Sequence, residues 1–92
     1  MANYVVSYDL NGKNPTHAEM DAHIKRAGWA YGRILETVWY IGTTATTKQV
    51  YEHINAILST NDRVIVVKAT DAWFRNLLVS DDSLQKAWTG NA

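Results

Sequence analysis

Hydrophobic and polar positions follow two kinds of pattern along this chain, and together they predict a mixture of strands and helices. Blocks rich in β-branched and aromatic residues predict strands at residues 4–8, 32–36, 38–42 and 64–67. Two other blocks repeat apolar residues at helical spacing. Met20, Ile24 and Ala27 predict a helix over residues 16–27, and Val50, Ile54, Ile57 and Leu58 predict a second that ends before Ser59.

The ends of the first helix are marked by specific residues. Thr16 and Glu19 have the spacing of a capping box, in which each side chain binds the backbone amide of the other residue. Gly28 suits the left-handed position that ends a helix. The run of apolar residues at 64–67 has no polar face, so we expect that strand to be central in a sheet or covered on both sides.

The resulting order of elements, β-α-β-β-α-β, predicts an α+β fold. We expect residues 1–92 to form a single domain whose core, residues 3–69, is a ferredoxin-like sandwich: a four-stranded antiparallel sheet with two helices on one face. The extension at 70–92 is rich in large apolar side chains. Helices beginning at Asp71 and at Asp81 or Asp82 would let it cover the open sheet face or contact a second copy.

Composition narrows the function classes. The chain has 92 residues, is 47% hydrophobic and contains no cysteine, which excludes disulfides and thiolate chemistry and favours a cytoplasmic protein. We expect no membrane attachment, because no apolar run approaches the roughly 20 residues of a membrane span. Nine basic residues balance nine acidic ones, so any contact with nucleic acid must depend on local charge.

Asp9 is the main candidate for chemistry. If the aromatic residues of the first strand face the helices, alternation places Asp9 at the strand end on the open face. Mg²⁺ is commonly held by one or two carboxylates together with water and phosphate oxygens, so two copies of Asp9 across a dimer axis would suit it. The alternative is structural: Asp9 would open an Asx turn into the loop that follows.

Other side chains give weaker signals. His17 and Asp21 have the spacing of metal ligands on a helix, but no third ligand is nearby and such pairs are usually solvated. For nucleic acid the candidates are Lys13, Arg33 and Arg75, together with Lys25 and Arg26. Trp29, Tyr31 and Trp39 are interleaved with them. Aromatic rings beside arginines can stack on bases, although on short strands they more often belong to a core or an interface.

Three segments carry a family resemblance. They are Tyr-Val-Val-Ser-Tyr-Asp-Leu at residues 4–10, Tyr-Gly-Arg-Ile-Leu-Glu-Thr-Val-Trp at 31–39, and Asn-Asp-Arg-Val-Ile-Val at 61–66. Their order and spacing resemble the SinR-like proteins, which are similar to the CRISPR-associated Cas-two-like and VapD-like families. The match covers about three-quarters of the chain. This sequence departs from those families in showing no basic stripe and in its aromatic C-terminal segment.

The resemblance implies a ferredoxin-like homodimer with Asp9 near the two-fold axis. Two hypotheses follow. In the first, the dimer engages nucleic acid. Its activity under this hypothesis is that of a metal-dependent endonuclease. Asp9 of both subunits would hold Mg²⁺, and Ser7 and Thr37 would orient water or phosphate. In the second, the chain is a non-catalytic module of a mobile element or phage that binds a protein partner as a scaffold, regulator or mimic.

Overall fold

The computed structural model of this protein describes residues 1–90 and contains strands and helices in mixed order. The elements are β1 (Ala2–Asp9), α1 (His17–Arg26), β2 (Ala30–Leu35), β3 (Val38–Thr43), α2 (Thr47–Asn55), β4 (Arg63–Ala69) and α3 (Asp81–Gly90). The last two residues of the predicted extension, 91 and 92, lie outside the described residues. None of the helices among residues 1–90 has the length and apolar content needed to span a bilayer.

The four strands form one open antiparallel sheet in the order β2-β3-β1-β4. The predicted α+β class is therefore confirmed, and the architecture is compatible with a ferredoxin-like fold. β1 and β3 are the central strands, and β2 and β4 form the edges.

Polar side chains set the start of α1 and α2, as the sequence predicts for α1. The Thr16 hydroxyl accepts a hydrogen bond from the Glu19 amide at 3.2 Å, and the Glu19 carboxylate accepts one from the Thr16 amide at 2.8 Å. Thr46 and Gln49 repeat this arrangement at the start of α2. Gly28 has a φ of 77° just after α1, which is the left-handed conformation expected for a residue that ends a helix.

The hydrophobic core lies between one face of the sheet and the two helices α1 and α2. Its buried residues are Tyr4, Val6, Tyr8, Met20, Ile24, Trp39, Ile41, Val50 and Ile54. Because both helices contribute to the same cluster as alternate residues of β1, they cover the same face of the sheet. The aromatic residues of β1 therefore face the helices, which is the condition under which alternation places Asp9 on the open face.

The interpretation of β4 as a central or covered strand was wrong. β4 pairs with β1 alone among the described strands and forms an edge of the sheet. Ile65 and Val67, which point away from the helices, keep 59% and 45% of their surface exposed. An edge strand can also consist of a run of apolar residues, when one of its faces is buried and the other is exposed to solvent but has no charged side chains.

The C-terminal segment agrees only in part with its prediction. The helix expected from Asp71 to Leu78 is absent from the described residues, and that stretch is irregular. Its backbone instead joins the β2 edge, where the Leu78 amide donates to the carbonyl oxygen of Ile34 at 3.0 Å. The later helix forms as α3, but its cap is Ser80, whose hydroxyl accepts from the Ser83 amide. Asp81 and Asp82 occupy its first turn.

Helix α3 covers part of the sheet face opposite α1 and α2. Leu84 is buried, and the ring of Trp88 lies 5.8 Å from that of Tyr40 in β3. The Asn3 side chain donates a hydrogen bond to the carbonyl oxygen of Trp88 at 3.1 Å and accepts one from the Tyr40 hydroxyl at 2.6 Å. The expectation that this segment would cover the open face is therefore met in part, at the contacts with Tyr40 and Asn3.

Candidate functional site

Asp9 ends β1 on the face of the sheet that α1 and α2 leave open. Tyr8, its neighbour, is buried, whereas the Asp9 side chain keeps 64% of its surface exposed. Its cross-strand partner is Arg63, whose Nη1 atom lies 3.9 Å from Asp9 Oδ2. This separation is at the long end for an ion pair, and both side chains are hydrated, so the contact constrains the Asp9 carboxylate weakly.

Asp9 lies at one end of a surface that no described element covers. We call it the uncovered surface, and it consists of Ser7, Asp9, Ile65 and Val67. Ser7 and Ile65 are cross-strand partners, and both line a shallow depression together with Asp9 and Arg63. The depression thus combines a carboxylate, a hydroxyl and an exposed aliphatic side chain at one end of the sheet.

The structural alternative for Asp9, an Asx turn, is not what the loop forms. The backbone amide of Asn11, which such a turn would engage, donates at 2.6 Å to Asp62 Oδ1. Asp62 also accepts a hydrogen bond from the Ser59 amide at 2.8 Å. These backbone hydrogen bonds from Asn11 and Ser59 lower the pKa of Asp62. Asp62 therefore holds the loop, and the Asp9 carboxylate is left to face solvent and Arg63.

Thr37, expected beside Ser7 to orient water or phosphate, lies in the turn between β2 and β3. Its carbonyl oxygen accepts a hydrogen bond from the Tyr8 amide at 3.2 Å. Ser7 pairs with Val38 at the same end of the sheet. The structure thus brings Ser7, Thr37 and Asp9 to one end of β1, and their predicted roles remain predictions.

The three basic candidates for nucleic-acid contact lie in different parts of the molecule. Lys13 is exposed in the loop that follows β1, and Arg75 is exposed in the irregular segment before α3. Arg33 lies on the helix side of β2, where its Nη2 atom is 3.8 Å from Asp21 Oδ2 of α1. Asp9 lies on the other face of the sheet, so Arg33 and Asp9 do not share a surface.

The aromatic residues near these basic side chains have mostly structural surroundings. Trp39 is buried, and its indole nitrogen donates at 3.1 Å to the Tyr8 hydroxyl. Burial raises the pKa of that Tyr8 hydroxyl, which stays a neutral partner in the core. Tyr31 is exposed and lies under the Lys25 ammonium, 5.8 Å from the ring centre. Of these residues, Tyr31 has the surface needed to stack on a ligand.

A pair of histidines joins α1 to α2 in a way that the sequence did not indicate. The rings of His23 and His53 stack 4.0 Å apart and nearly parallel. Each Nε2 atom donates to the backbone carbonyl oxygen of the other histidine, at 2.6 Å and 2.8 Å. The two side chains therefore tie the helices together, and periodicity within one helix carries no signal for such a contact. His17 is exposed, and the nearest charged partner of Asp21 is Arg33 rather than His17.

Among residues 1–90 there is no group of three histidine, aspartate or glutamate side chains that could hold a metal ion. Asp9 alone, with the Arg63 guanidinium beside it, does not fit Mg²⁺ within one chain, since a cation competes for the same carboxylate. A magnesium site at this position would need a carboxylate from a second copy.

Comparison of the chain with models of known protein families gave no match, and neither did comparisons with curated proteins and with solved structures.

Proposed function

We propose that this protein is a homodimeric interaction module that pairs with a second copy of itself through the uncovered surface. The observation that carries the proposal is the exposure of Ile65 and Val67, 59% and 45%, on the same face of an edge strand. Apolar side chains grouped on one face of a small protein commonly mark a contact surface, because burying them removes apolar area from water.

The charges at the end of this surface favour a second copy as the occupant. A two-fold contact places the same patch of both chains face to face, so the patch must complement itself. Asp9 and Arg63 are neighbours of opposite charge at the rim of the uncovered surface. Rotation about a two-fold axis can set the Asp9 of one chain against the Arg63 of the other, which gives the patch complementary charges without repulsion.

We assign residues 3–69 to a ferredoxin-like βαββαβ sandwich, and α3 to an addition on its open face. The strand order β2-β3-β1-β4 and the position of α1 and α2 on one face support this assignment. The resemblance to the SinR-like and Cas-two-like families remains a prediction from the three sequence segments.

Sedimentation velocity over a range of protein concentrations tests the dimer. We expect the unaltered chain to dimerise and Ile65→Glu to shift it to monomer, because an ionised carboxylate in the contact would lose its hydration. Leu78→Glu is the matched control, since Leu78 is 58% exposed and lies at the opposite edge of the sheet. A monomer at every concentration, or an Ile65→Glu variant that dimerises as before with native circular dichroism, would overturn the proposal.

A second candidate function is that of a Mg²⁺-dependent endonuclease formed only in the dimer. The observation that favours it is the position of Asp9, an exposed carboxylate at the rim of the surface proposed to meet its own copy. Two such carboxylates would supply the ligand count that one chain lacks. The separate locations of Lys13, Arg33 and Arg75 give no continuous basic path for a nucleic acid, so we place this candidate second.

Cleavage assays with single- and double-stranded DNA and RNA in Mg²⁺ separate the two functions. Under the second candidate, Asp9→Ala abolishes cleavage but leaves the dimer intact. The control Asp82→Ala, at an exposed carboxylate, leaves both cleavage and the dimer unchanged. Affinity for nucleic acid would also fall steeply as salt is raised, because bound phosphates release counterions. Cleavage that survives Asp9→Ala would remove Asp9 from any such reaction.

A further inference from the structure

A cleft lies between the irregular segment at residues 71–74 and helix α3, away from the uncovered surface. Its volume is about 460 Å³. The side chains that define it are three aromatic rings and two carboxylates: Trp73, Phe74, Trp88, Asp71 and Asp81. We call it the aromatic cleft. None of these residues belongs to the uncovered surface, so the cleft is a separate candidate for binding.

Trp73 contributes little to the fold in its present position. It keeps 97% of its surface exposed, which is unusual for a large apolar side chain. Trp88, by contrast, is fixed: its ring lies against Tyr40 and its backbone carbonyl accepts the Asn3 hydrogen bond. Of the two tryptophans in the cleft, Trp88 is thus anchored, and Trp73 can contact a ligand with most of its indole surface.

The charge of the aromatic cleft is negative and has no basic side chain to balance it. Asp71 and Asp81 line the cleft, and no lysine or arginine does. Within residues 1–90 neither carboxylate forms an ion pair; Asp71 Oδ1 accepts a hydrogen bond from the Ala72 amide at 2.9 Å. Lys86, the basic residue of α3, pairs with Asp82 at 3.1 Å instead. The cleft therefore presents two carboxylates that form no ion pair within residues 1–90, beside aromatic rings.

We propose that the aromatic cleft binds an arginine side chain of a partner polypeptide. Aromatic faces attract cations, and the flat guanidinium group stacks on an indole while its N–H groups bind carboxylates in pairs. A lysine ammonium offers a point charge without that stacking geometry, so it fits the cleft less well. A nucleic acid could also stack on Trp73, but Asp71 and Asp81 repel its phosphates.

Calorimetric titration with short blocked peptides tests this proposal on the full chain. The probe contains arginines separated by glycines, and the matched peptides carry lysine or glutamine in place of arginine. We expect the arginine peptide to bind most tightly and to shift the indole N–H resonance of Trp73. We expect Trp73→Ala and Asp81→Asn each to weaken binding of the arginine peptide about fivefold. Trp73→Phe, which keeps an aromatic ring, should weaken it less than Trp73→Ala does.

The control is Asp82→Asn, which removes a carboxylate from the same turn of α3 outside the cleft and is expected to leave peptide affinity unchanged. Equal affinity for the arginine and glutamine peptides, absence of any binding, or tighter binding of a single-stranded oligonucleotide that depends on Trp73 would overturn the proposal. The Trp73→Ala variant should sediment as the unaltered chain does, because Trp73 lies outside the uncovered surface. The peptide test is therefore separate from the dimer proposal.

Discussion

The two faces of the sheet are stabilised in different ways. On one face, α1 and α2 bury alternate residues of the central strands in a continuous apolar core. On the other, α3 covers a part through Leu84, an aromatic contact and a short hydrogen-bonded chain from Tyr40 through Asn3 to Trp88. The uncovered surface lies on the same face, beyond these contacts. Burial by α1 and α2 thus stabilises the fold, while the opposite face leaves surface for binding.

The largest expected effect comes from the core face. Ile54→Ala should lower the free energy of unfolding by about 3 kcal/mol, because Ile54 is fully buried and its loss leaves a cavity. Ile65→Ala removes the same atoms from the uncovered surface and should change the stability of the monomer by less than about 0.5 kcal/mol. Urea unfolding measures both at a protein concentration where the chain is monomeric. Equal losses would remove the distinction between the faces.

A smaller effect is expected beneath α3. Asn3→Ala removes the hydrogen bonds to Tyr40 and Trp88 and should cost about 2 kcal/mol, since two hydrogen bonds beneath α3 are lost together. Hydrogen exchange should show faster exchange of α3 amides, with those of α1 and α2 retaining most of their protection. Lys86→Ala, on the solvent side of α3, is the control. If all three helices lose protection equally, α3 unfolds together with the core rather than separately.

The smallest effect is a dependence on pH in the loop that holds Asp62. Hydrogen bonds from Asn11 and Ser59 set the folded-state pKa of Asp62 below its ordinary value of 3.8. A depressed pKa contributes stability above the unfolded value that is lost as the pH falls through the folded one. Asp62→Asn should therefore be less stable than the unaltered chain at neutral pH. Thermal unfolding should show the difference shrinking below about pH 4.

Local sequence signals predicted α1 and α2 well. Thr16 and Glu19 act at the start of α1 and Gly28 at its end, each on the turn next to it, so their effect depends little on the rest of the fold. Alternation along β1 placed Asp9 on the face opposite Tyr8, and the structure shows that this is the open face. The turn between β2 and β3 was located without any asparagine-glycine or aspartate-glycine signal, because the stretch before Thr43 is too long for a single strand.

Contacts between distant elements were not predictable in this way. The hydrophobic pattern of residues 64–67 suits a central strand and a half-exposed edge strand equally, and the choice depends on what covers β4. The helix expected at residues 71–78 gave way to a backbone hydrogen bond with Ile34, a tertiary contact that overrides local propensity. The pairing of Arg33 with Asp21 likewise joins residues whose proximity only the folded sheet creates.

The reciprocal contact between His23 and His53 divides the three histidines by their chemical reactivity. Both Nε2 atoms of the pair are held against carbonyl oxygens, and the Nδ1 atom of His23 is buried, whereas His17 is exposed at the start of α1. An acylating reagent that attacks imidazole nitrogen should therefore label His17 first. Labelling of His23, whose two ring nitrogens are both shielded, would report the moment at which the two helices separate.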